Sequence, residues 1–500
     1  MGRSNEKSRS PVSQSDWDFK TATELVAALT ARRVSALELT KLAIARIEAQ
    51  DPLIGAICVR DFDRALDAAR AADAALQRGE CRPLLGVPTT IKESFNMVGL
   101  PTTWGMPAFK DFSPTQDAVA VARLKAAGAV VLGKTNVPFA LADWQSYNAL
   151  YGTTNNPWDL GRTPGGSSGG SAAALVAGFG ALSLGSDIGG SLRAPAHYCG
   201  IYAHKPTFAL LSSRGHTPPA LPALPLERDL AVIGPMARGA ADLALVLDLL
   251  ADPDEETLGR AYRLALPPAR HQELERFRVL ILDKHPLLPT AASVSTAINA
   301  LADRLAKAGV NVARKSPQLP DLADSARLYM RLLFAFLAAF WPPESYTQMQ
   351  REAAALPLTG GSLQDERTRG AALSHRDWVL ADGARGRLRQ QWQQLFGVFD
   401  VVVCPVMPTP AYPHDHSPDQ RQRHIMVDGS PIAYMDQLVW PGVATLPGLP
   451  ATAVPIDRSA DGLPIGVQIV GPAFEDHTPI AFAKLLEREF GGFVPPPTFA

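Results

Sequence analysis

Apolar residues recur every three to four positions in three stretches near the start of the chain, the spacing of one buried helix face. The first two stretches begin with capping-box pairs, because Thr21 is followed by Glu24 and Ser35 by Glu38. The third stretch, DFDRALDAARAADAALQRG (61–79), is rich in alanine. The pattern therefore predicts three consecutive helices.

Short apolar runs rich in β-branched residues follow, and helical patterns alternate with them. The alternation predicts an α/β fold. A Pro-, His- and Asp-rich stretch at 407–431 is predicted to be a long surface loop. The predicted strands are PLLGVPTTIKES (83–94), AVVLGKTN (129–136), FRVLILD (277–283), VNVARK (310–315), FDVVVCPV (399–406) and GLPIGVQIVG (462–471), with helices near 117–128, at 295–309 and across 320–400.

Composition narrows the function classes. The 500 residues are 46% hydrophobic and 19% charged, with a net charge of −1, so no electrostatic preference for nucleic acid or an anionic membrane is expected. No apolar run is long enough to predict a membrane span, and the polar residues 1–15 are expected to form a disordered tail. Four scattered cysteines, Cys58, Cys81, Cys199 and Cys404, contain no CxxC pair and predict free thiols in a cytoplasmic protein.

One segment matches a nucleotide-binding motif in its residue spacing but not in its predicted structural context. GAVVLGKT (128–135) fits the phosphate-loop pattern GxxxxGK[ST]. That loop requires a strand before it and a helix after it, whereas here a helical pattern precedes and the interior has the composition of a strand. Lys134 is therefore predicted to be structural.

The histidines raise two further possibilities. His414 and His416, with His424, could hold a metal ion, but a Pro-rich loop makes a poor rigid cage, and no metal site is predicted. His197 and His204 flank a serine-rich region, so either could serve as the base of a nucleophilic serine. No aspartate at a suitable spacing supports that second possibility.

The strongest signal is a pair of Gly- and Ser-rich segments, GGSSGGS (165–171) and DIGGS (187–191). The apolar run between them predicts a short helix and a strand, which excludes a flexible linker. Successive N–H groups in such segments can build a nest for an oxyanion. A base is available in Lys92, because a lysine desolvated in an apolar strand has a lowered pKa. The serines offered as nucleophiles are Ser167, Ser168, Ser171 and Ser191.

The segment GGSSGGSAAALVAGFGALSLGSDIGGSLRAPAHYCGIYAHKPT (165–207) resembles the signature region of the amidase signature family. The resemblance extends to GVPTTIKES, GAVVLGKTN and YGTTNNPWD upstream, and to DLAVIGPMARGAADLALVLDLLA, VVVCPV and GLPIGVQIVGP downstream. It covers roughly residues 20–255 and 395–490. It implies one large α/β domain at 16–495, a mixed twisted sheet with helices on both faces. Within it the resemblance implies a signature core (about 83–255), a variable helical substrate-side region (about 256–395) and a C-terminal sheet part (about 396–490).

The resemblance also implies a Ser–cis-Ser–Lys triad. Ser191 matches the nucleophile, Ser167 the bridging serine and Lys92 the base, with a cis peptide bond between Gly166 and Ser167. Glu93 stands where the family usually has aspartate after the lysine. The implied oxyanion hole consists of the backbone N–H groups of Ile188, Gly189, Gly190 and Ser191. The implied supporting residues are Ser168, Asp187 and Arg193, and no cofactor or metal is implied.

The substrate is less defined by sequence. Trp144, Gln145 and Tyr147, with the apolar run 328–341, suggest an aromatic pocket, although the run could equally be a core helix. The family then implies a small-molecule substrate: a hydrophobic or aryl amide, an anilide, an aryl carbamate (urethane) or an ester. The expected partners include no nucleic acid and no membrane, and the expected state is a monomer or homodimer.

Two other functions remain open. The amidase subunit of a tRNA-dependent amidotransferase usually carries an SLDQ-like run before its Gly-Pro, where this chain has LPLERDLAVIGP (224–235). That difference favours a stand-alone hydrolase. A catalytically inactive binding homologue is the other possibility, and the occupation of all three triad positions speaks against it.

Overall fold

The N-terminal helices begin where the caps predict. The computed structural model describes residues 16–254, 256, 258–357 and 360–499, so the predicted tail at 1–15 lies outside the described residues. Thr21 accepts from the Glu24 N–H and Glu24 returns a bond to the Thr21 N–H, which completes the capping box. The Ser35 hydroxyl accepts from the Glu38 N–H at 3.0 Å, so the N-cap forms, whereas the return bond from Glu38 that would complete the predicted capping box is not among the hydrogen bonds of the described residues.

Fourteen α-helices lie in the described part of the chain. The sequence pattern predicts the three at the N-terminus, the short one after the first Gly- and Ser-rich segment, and those near 117–128, at 295–309 and across 320–400. It does not predict those at 193–199, 240–250, 439–445 and 477–490. The bounds of the fourteen helices are α1 Ala22–Thr30, α2 Ala36–Ile54, α3 Phe62–Gln77, α4 Val119–Ala126, α5 Gly169–Val176, α6 Arg193–Cys199, α7 Ala240–Leu250, α8 Ala292–Lys307, α9 Leu322–Ala338, α10 Pro343–Ala354, α11 Leu363–Ala371, α12 His375–Val398, α13 Val439–Thr445 and α14 His477–Phe490.

Among the described residues, eleven strands form one mixed sheet in the order β1-β3-β2-β6-β8-β7-β14-β15-β11-β9-β10. The pairs β2–β3, β2–β6, β9–β10 and β9–β11 are parallel, and the other neighbours are antiparallel. The strands of this sheet are β1 Ile57–Arg60, β2 Pro88–Lys92, β3 Val130–Thr135, β6 Leu182–Asp187, β7 Tyr202–Lys205, β8 Val232–Ala237, β9 Arg278–Ile281, β10 Asn311–Ala313, β11 Val401–Pro405, β14 Ala451–Arg458 and β15 Pro464–Val470. Two hairpins, β4 Tyr147–Asn148 with β5 Gly152–Thr153 and β12 His424–Val427 with β13 Ser430–Ala433, stand apart.

Helices cover both faces of the large sheet, and each face has its own apolar core. Successive side chains of a strand point to opposite faces. On β11, Val401 and Val403 pack into the core with α1–α4, α7, α8 and α14, whereas Val402 and Cys404 pack into the core with α6, α9, α12 and α13. The chain is therefore one domain with a mixed α/β fold, as predicted. None of the helices among the described residues combines the length and apolar character that a membrane crossing requires.

Two local predictions have clear outcomes. The stretch 128–135 is not a phosphate loop, because residues 130–135 are the buried strand β3 itself. The prediction of a surface loop at 407–431 is wrong at both ends, because Met407, Ala411 and Tyr412 are buried and β12 and β13 form a hairpin. The signal was present in the sequence, because Ile425 and Val427 are buried while His424 and Met426 between them are exposed, the period of a strand.

Candidate active site

Lys92 is the last residue of the fully buried strand β2, which lies between β3 and β6 in the sheet. Its side chain is inaccessible to solvent. Burial lowers the pKa of Lys92 to about 7, and the nearby carboxylate of Asp187 opposes this shift only in part. The amine can therefore be neutral near pH 7, the state in which its lone pair can accept a proton.

Two serine hydroxyls contact this amine. Lys92 Nζ lies 2.7 Å from Ser167 Oγ and 2.9 Å from Ser186 Oγ. Ser186 comes from the parallel neighbour β6, whose register places Leu184 opposite Ile91. A neutral amine can donate to one hydroxyl and accept from the other. The structure thus brings the predicted Lys92 and Ser167 together and adds Ser186, which the sequence did not single out.

Ser167 follows a cis peptide bond from Gly166, as the resemblance implies. The backbone of the 143–145 segment runs directly beneath Gly166. A Cβ at Gly166 would press against the carbonyl oxygen of Asp143 and lie 2.9 Å from the carbonyl carbon of Trp144. Residue 166 is therefore glycine because two backbones meet there.

Ser191 lies on a tight turn, residues 188–191, between β6 and α6. The Asp187 carboxylate organises this turn, because its Oδ1 accepts from the Gly190 N–H at 2.9 Å and its Oδ2 from the Leu192 N–H at 3.0 Å. Arg193 donates to both carboxylate oxygens, and neither side chain is accessible to solvent. Burial alone would raise the pKa of Asp187, but the Arg193 guanidinium, together with Lys205 and the Leu192 N–H, outweighs it and holds that pKa below its usual value.

The carboxylate contact corrects the predicted oxyanion hole. The Gly190 N–H is already directed at Asp187, so it is not free to bind a substrate oxygen. In the described part of the chain, the N–H groups of Ile188, Gly189 and Ser191 have no such acceptor. Ser191 is 7% exposed, so a small part of it reaches solvent. These three N–H groups remain as candidate donors.

The bridging serine and the nucleophile candidate are joined through the backbone. The Ser168 N–H donates to the Ser191 carbonyl oxygen at 3.2 Å, which ties the two Gly/Ser segments together. Between the hydroxyls of Ser167 and Ser191 the described residues show no hydrogen bond. Catalytic hydrogen bonds often tighten only when substrate is bound. The link between those two hydroxyls therefore stays a prediction.

The other serines of the first segment have structural contacts. Ser168 Oγ lies 3.3 Å from the Ser186 carbonyl oxygen and 3.4 Å from the Ser186 backbone nitrogen. Ser171 Oγ lies 2.7 Å from Thr135 Oγ1, in the core. Both serines are completely buried, so neither is placed to attack a substrate.

The three predicted pocket residues have different surroundings. Trp144 touches the turn of Ser191, because its indole N–H donates to the Gly189 carbonyl oxygen at 2.8 Å. Gln145 does not line an open pocket: it is fully buried, and its amide exchanges two hydrogen bonds with the backbone of Asp415 at 2.7 and 2.8 Å. Tyr147 stacks on His416 with ring centroids 3.7 Å apart. Of these three residues, Trp144 is therefore the one that contacts the candidate catalytic turn directly.

Sequence reasoning missed Tyr329. This tyrosine lies on α9, and its hydroxyl donates to the Ile188 carbonyl oxygen at 2.6 Å. The run 328–341, left open between pocket and core, includes buried Tyr329, Met330 and Leu333. One face of this helix is therefore core. The only sequence signal for Tyr329 is a hydroxyl group within an apolar helix. Its contact with the turn could not be predicted, because α9 is distant in sequence from the turn.

Two buried charged side chains, Glu93 and Lys134, hold the loop after Lys92 in place. Glu93 accepts from the backbone N–H groups of Thr103 and Trp104 at 2.5 and 2.9 Å. Lys134 Nζ donates to the Pro101 carbonyl and to Thr102 Oγ1. Burial lowers the pKa of Lys134 to about 8, while Glu93 opposes that shift. Lys134 thus has the contacts of a structural residue, and Glu93 anchors the 101–104 segment.

The histidines that the sequence offered as bases contact no serine. The His197 ring nitrogens lie 3.0 and 2.9 Å from the carbonyl oxygens of Gly466 and Thr409. His204 lies between Thr452 and Asp476. Burial lowers the pKa of both rings. In the surface loop, His414 bonds to Asn155 and His416 stacks on Tyr147.

Comparison with known proteins identifies the family of the chain. The profile of the family described as Amidase matches residues 38–479. The A subunit of glutamyl-tRNA(Gln) amidotransferase from Roseiflexus castenholzii is 34% identical over 486 residues, which cover 91% of this chain and 92% of that protein. Fatty-acid amide hydrolase 2-A of Danio rerio is 31% identical over 499 residues, covering 95% and 90%.

A solved structure shares the fold. It belongs to a vestigial protein complex, with inhibitor bound, that bears on the evolutionary origins of an s-triazine catabolic enzyme. Its TM-score is 0.78 at 28% sequence identity, and the match covers 94% of this chain and 98% of that one.

Proposed function

Because this chain belongs to the amidase signature family of hydrolases, we propose that it cleaves the C–N bond of linear carboxylic amides through an acyl-enzyme on Ser191. The observation that carries the proposal is the 2.7 Å contact between Lys92 Nζ and Ser167 Oγ. It lies within the buried core, beside the turn that presents Ser191. No histidine and no metal ion is needed for this chemistry.

The proton path follows from the lowered pKa of Lys92. The neutral amine accepts the Ser167 hydroxyl proton while Ser167 takes the proton of Ser191, so that Ser191 Oγ can attack the substrate carbonyl carbon. Lys92 is then an ammonium ion, and it returns the proton through Ser167 to the leaving amine. Water repeats the sequence on the acyl-enzyme, which releases the carboxylic acid and restores Ser191.

The negative charge of the tetrahedral intermediate needs donors. We assign this task to the N–H groups of Ile188, Gly189 and Ser191, and leave out Gly190 because Asp187 holds its N–H. One such donor is typically worth about 2.7–4 kcal/mol of transition-state stabilisation. Ser168, Asp187 and Arg193 have positioning roles in this scheme, since their contacts are with the two segments that carry the serines.

The proposed substrate is a hydrophobic or aryl amide or anilide, with aryl carbamates (urethanes) and esters as further substrates of the same acyl transfer. The similarity to a fatty-acid amide hydrolase supports an apolar acyl group. In the proposal the enzyme acts as a monomer or homodimer. Its four free thiols favour a reducing cytoplasm.

A second candidate function has one observation in its favour. Relatives at 32–34% identity are named as the A subunit of glutamyl-tRNA(Gln) amidotransferase. Against it, LPLERDLAVIGP stands at 224–235, where that subfamily usually has an SLDQ-like run. We therefore rank the amidotransferase function below the stand-alone hydrolase.

The experiment compares initial rates of the purified chain alone on four compounds: an aryl 4-nitroanilide, an aryl carbamate, a small aliphatic amide and free glutamine. The proposal expects the highest kcat/KM on the nitroanilide or the carbamate. Preference for the small aliphatic amide would contradict the substrate class. Release of ammonia from glutamine only when partner subunits are added would favour the amidotransferase function.

A further inference from the structure

Two side chains from distant segments hold successive carbonyl groups of the turn that presents Ser191. The Tyr329 hydroxyl donates to the Ile188 carbonyl oxygen at 2.6 Å, and the Trp144 indole N–H donates to the Gly189 carbonyl oxygen at 2.8 Å. Both side chains are buried, with Tyr329 fully inaccessible and Trp144 5% exposed. These contacts therefore act on the turn from the protein interior.

A peptide plane links each of these carbonyls to the next N–H. In a trans peptide the C=O and the following N–H point in opposite directions. A donor on the Ile188 carbonyl thus directs the Gly189 N–H to the other side of the chain. Likewise the donor on the Gly189 carbonyl directs the Gly190 N–H away from Trp144, and that N–H does reach Asp187 at 2.9 Å. In the Gly189–Gly190 peptide, the carbonyl therefore faces Trp144 and the N–H faces Asp187, as the trans geometry requires.

The turn needs such restraint because its centre is Gly189 followed by Gly190. Glycine rotates its peptide planes with little steric resistance, and Gly190 adopts a φ of +95°, which other residues rarely adopt. A Cβ at Gly189 would lie 3.1 Å from Leu438 Cδ2, so a larger residue there would require that side chain to shift. External hydrogen bonds are then the available means of fixing the orientation of the Gly189 N–H.

The Tyr329 ring is itself closely confined. The helix α9 packs on α11, α12 and α13. A Cβ at Gly442 of α13 would lie 2.5 Å from the Tyr329 ring, so glycine at that position makes room for it. Burial raises the pKa of the Tyr329 hydroxyl, which keeps it protonated as a donor. The hydroxyl has a fixed position relative to the turn.

We propose that Tyr329 and Trp144 are positioning residues of the oxyanion hole: Tyr329 orients the Gly189 N–H toward the substrate oxygen, and Trp144 turns the Gly190 N–H onto Asp187. The inference rests on the proposed acyl transfer at Ser191. It gives the helical region 256–395 a direct connection to catalysis through α9, in addition to any contact with substrate.

The test uses Tyr329→Phe and Trp144→Phe, which remove the donors and keep most of the aromatic bulk. The matched control is Tyr198→Phe, a fully buried tyrosine whose hydroxyl donates to Gln437 at 3.4 Å and does not contact the turn. For each protein, kcat and KM are measured on an aryl 4-nitroanilide, and Ki on an aryl trifluoromethyl ketone. Ser191 Oγ adds to the ketone carbon, its proton passes to Lys92 through Ser167, and the ketone oxygen becomes an oxyanion.

For Tyr329→Phe we expect kcat to fall about 10- to 100-fold, somewhat less than the 10²–10³-fold loss on deleting a donor outright. KM should change less than about twofold, and the ketone Ki should rise by the same factor as kcat/KM falls. Trp144→Phe should likewise lower kcat and raise the ketone Ki. The control should stay within about twofold of the unmodified protein in both.

Wild-type kcat and ketone affinity in Tyr329→Phe would overturn the inference while leaving the proposed function intact. A loss of kcat with unchanged ketone affinity would also overturn it. If Tyr329→Phe did not fold, as judged by thermal unfolding, Trp144→Phe would decide by the same criteria. An unmodified protein that neither hydrolyses amides nor binds the ketone would instead refute the proposed function, and the inference with it.

Discussion

Asp187 and Arg193 form an ion pair with no solvent-accessible side-chain surface, with Arg193 Nη2 2.9 Å from Asp187 Oδ1. The same carboxylate accepts the N–H groups of Gly190 and Leu192, one on each side of Ser191. The guanidinium reaches on to Gln468 of β15 at 2.6 Å. The pair therefore attaches the turn of Ser191 to the central sheet.

Replacing Arg193 should destabilise the folded protein, because it leaves the Asp187 carboxylate buried without its counter-charge. For Arg193→Met we expect a loss of about 3–5 kcal/mol in the free energy of unfolding, measured by urea titration, with kcat reduced as well. Arg70→Met is the control, since Arg70 and Asp67 form an exposed pair that should contribute under about 1 kcal/mol. Equal losses in the two variants would show that the buried pair is not an anchor.

The pH dependence of activity should report Lys92. The proposed base works only as the neutral amine, and burial lowers the pKa of Lys92 to about 7. We therefore expect kcat/KM to rise with pH along a single-proton curve whose midpoint is about 7, since this parameter reports the free enzyme. Initial rates on an uncharged nitroanilide between pH 5.5 and 9 measure it. A profile that is flat over this range would exclude Lys92 as the base.

Lys92 should also make stability depend on pH. Its pKa is about 7 in the folded chain and near 10.5 as a free side chain, so folding deprotonates it. The resulting stability penalty is absent above pH 10.5 and grows as the pH falls to 7. Lys92→Met removes this dependence. Urea unfolding at pH 7, 8, 9 and 10 should therefore show the advantage of Lys92→Met over the unmodified protein shrinking as pH rises. The exposed Lys307→Met serves as a control, and a pH-independent advantage for Lys92→Met would contradict the assignment.

Gly166 should tolerate no side chain. A Cβ would collide with backbone atoms of Asp143 and Trp144, which cannot move aside as a flexible side chain can. Gly166→Ala should consequently lower the melting temperature and abolish nitroanilide hydrolysis. Gly397→Ala, where a Cβ meets nothing within 4 Å in helix α12, should instead be neutral or stabilising by about 0.5–1 kcal/mol. Near-normal activity of Gly166→Ala would refute the close backbone approach.

Much of the fold can be predicted from local sequence patterns. The caps at Thr21 and Ser35, the alternation of strands with helices and the burial of β2 follow from side-chain periodicity, which neighbouring residues determine. The resemblance supplied Lys92 and Ser167 as partners, and the structure places them 2.7 Å apart.

The remaining features depend on contacts between distant segments. Ser186 reaches Lys92 only because β6 pairs with β2, and Tyr329 lies 141 residues beyond Ile188, whose carbonyl it binds. The direction of the Gly190 N–H depends on the orientation of its peptide plane, which cannot be predicted from the identity of the residue. The hydrogen bonds of Gln145 to the Asp415 backbone likewise could not be read from its place beside two aromatic residues.

The central claim is that Ser191 is the nucleophile and that Lys92 activates it through Ser167. The most direct measurement is peptide mass spectrometry after brief reaction with an aryl fluorophosphonate, which leaves a stable phosphonyl ester on an activated serine. We predict one adduct on Ser191, none in Ser191→Ala, and labelling slowed about 10²–10⁴-fold in Lys92→Met. An adduct on Ser167 or on any other residue, or labelling of Lys92→Met at the unmodified rate, would contradict the account.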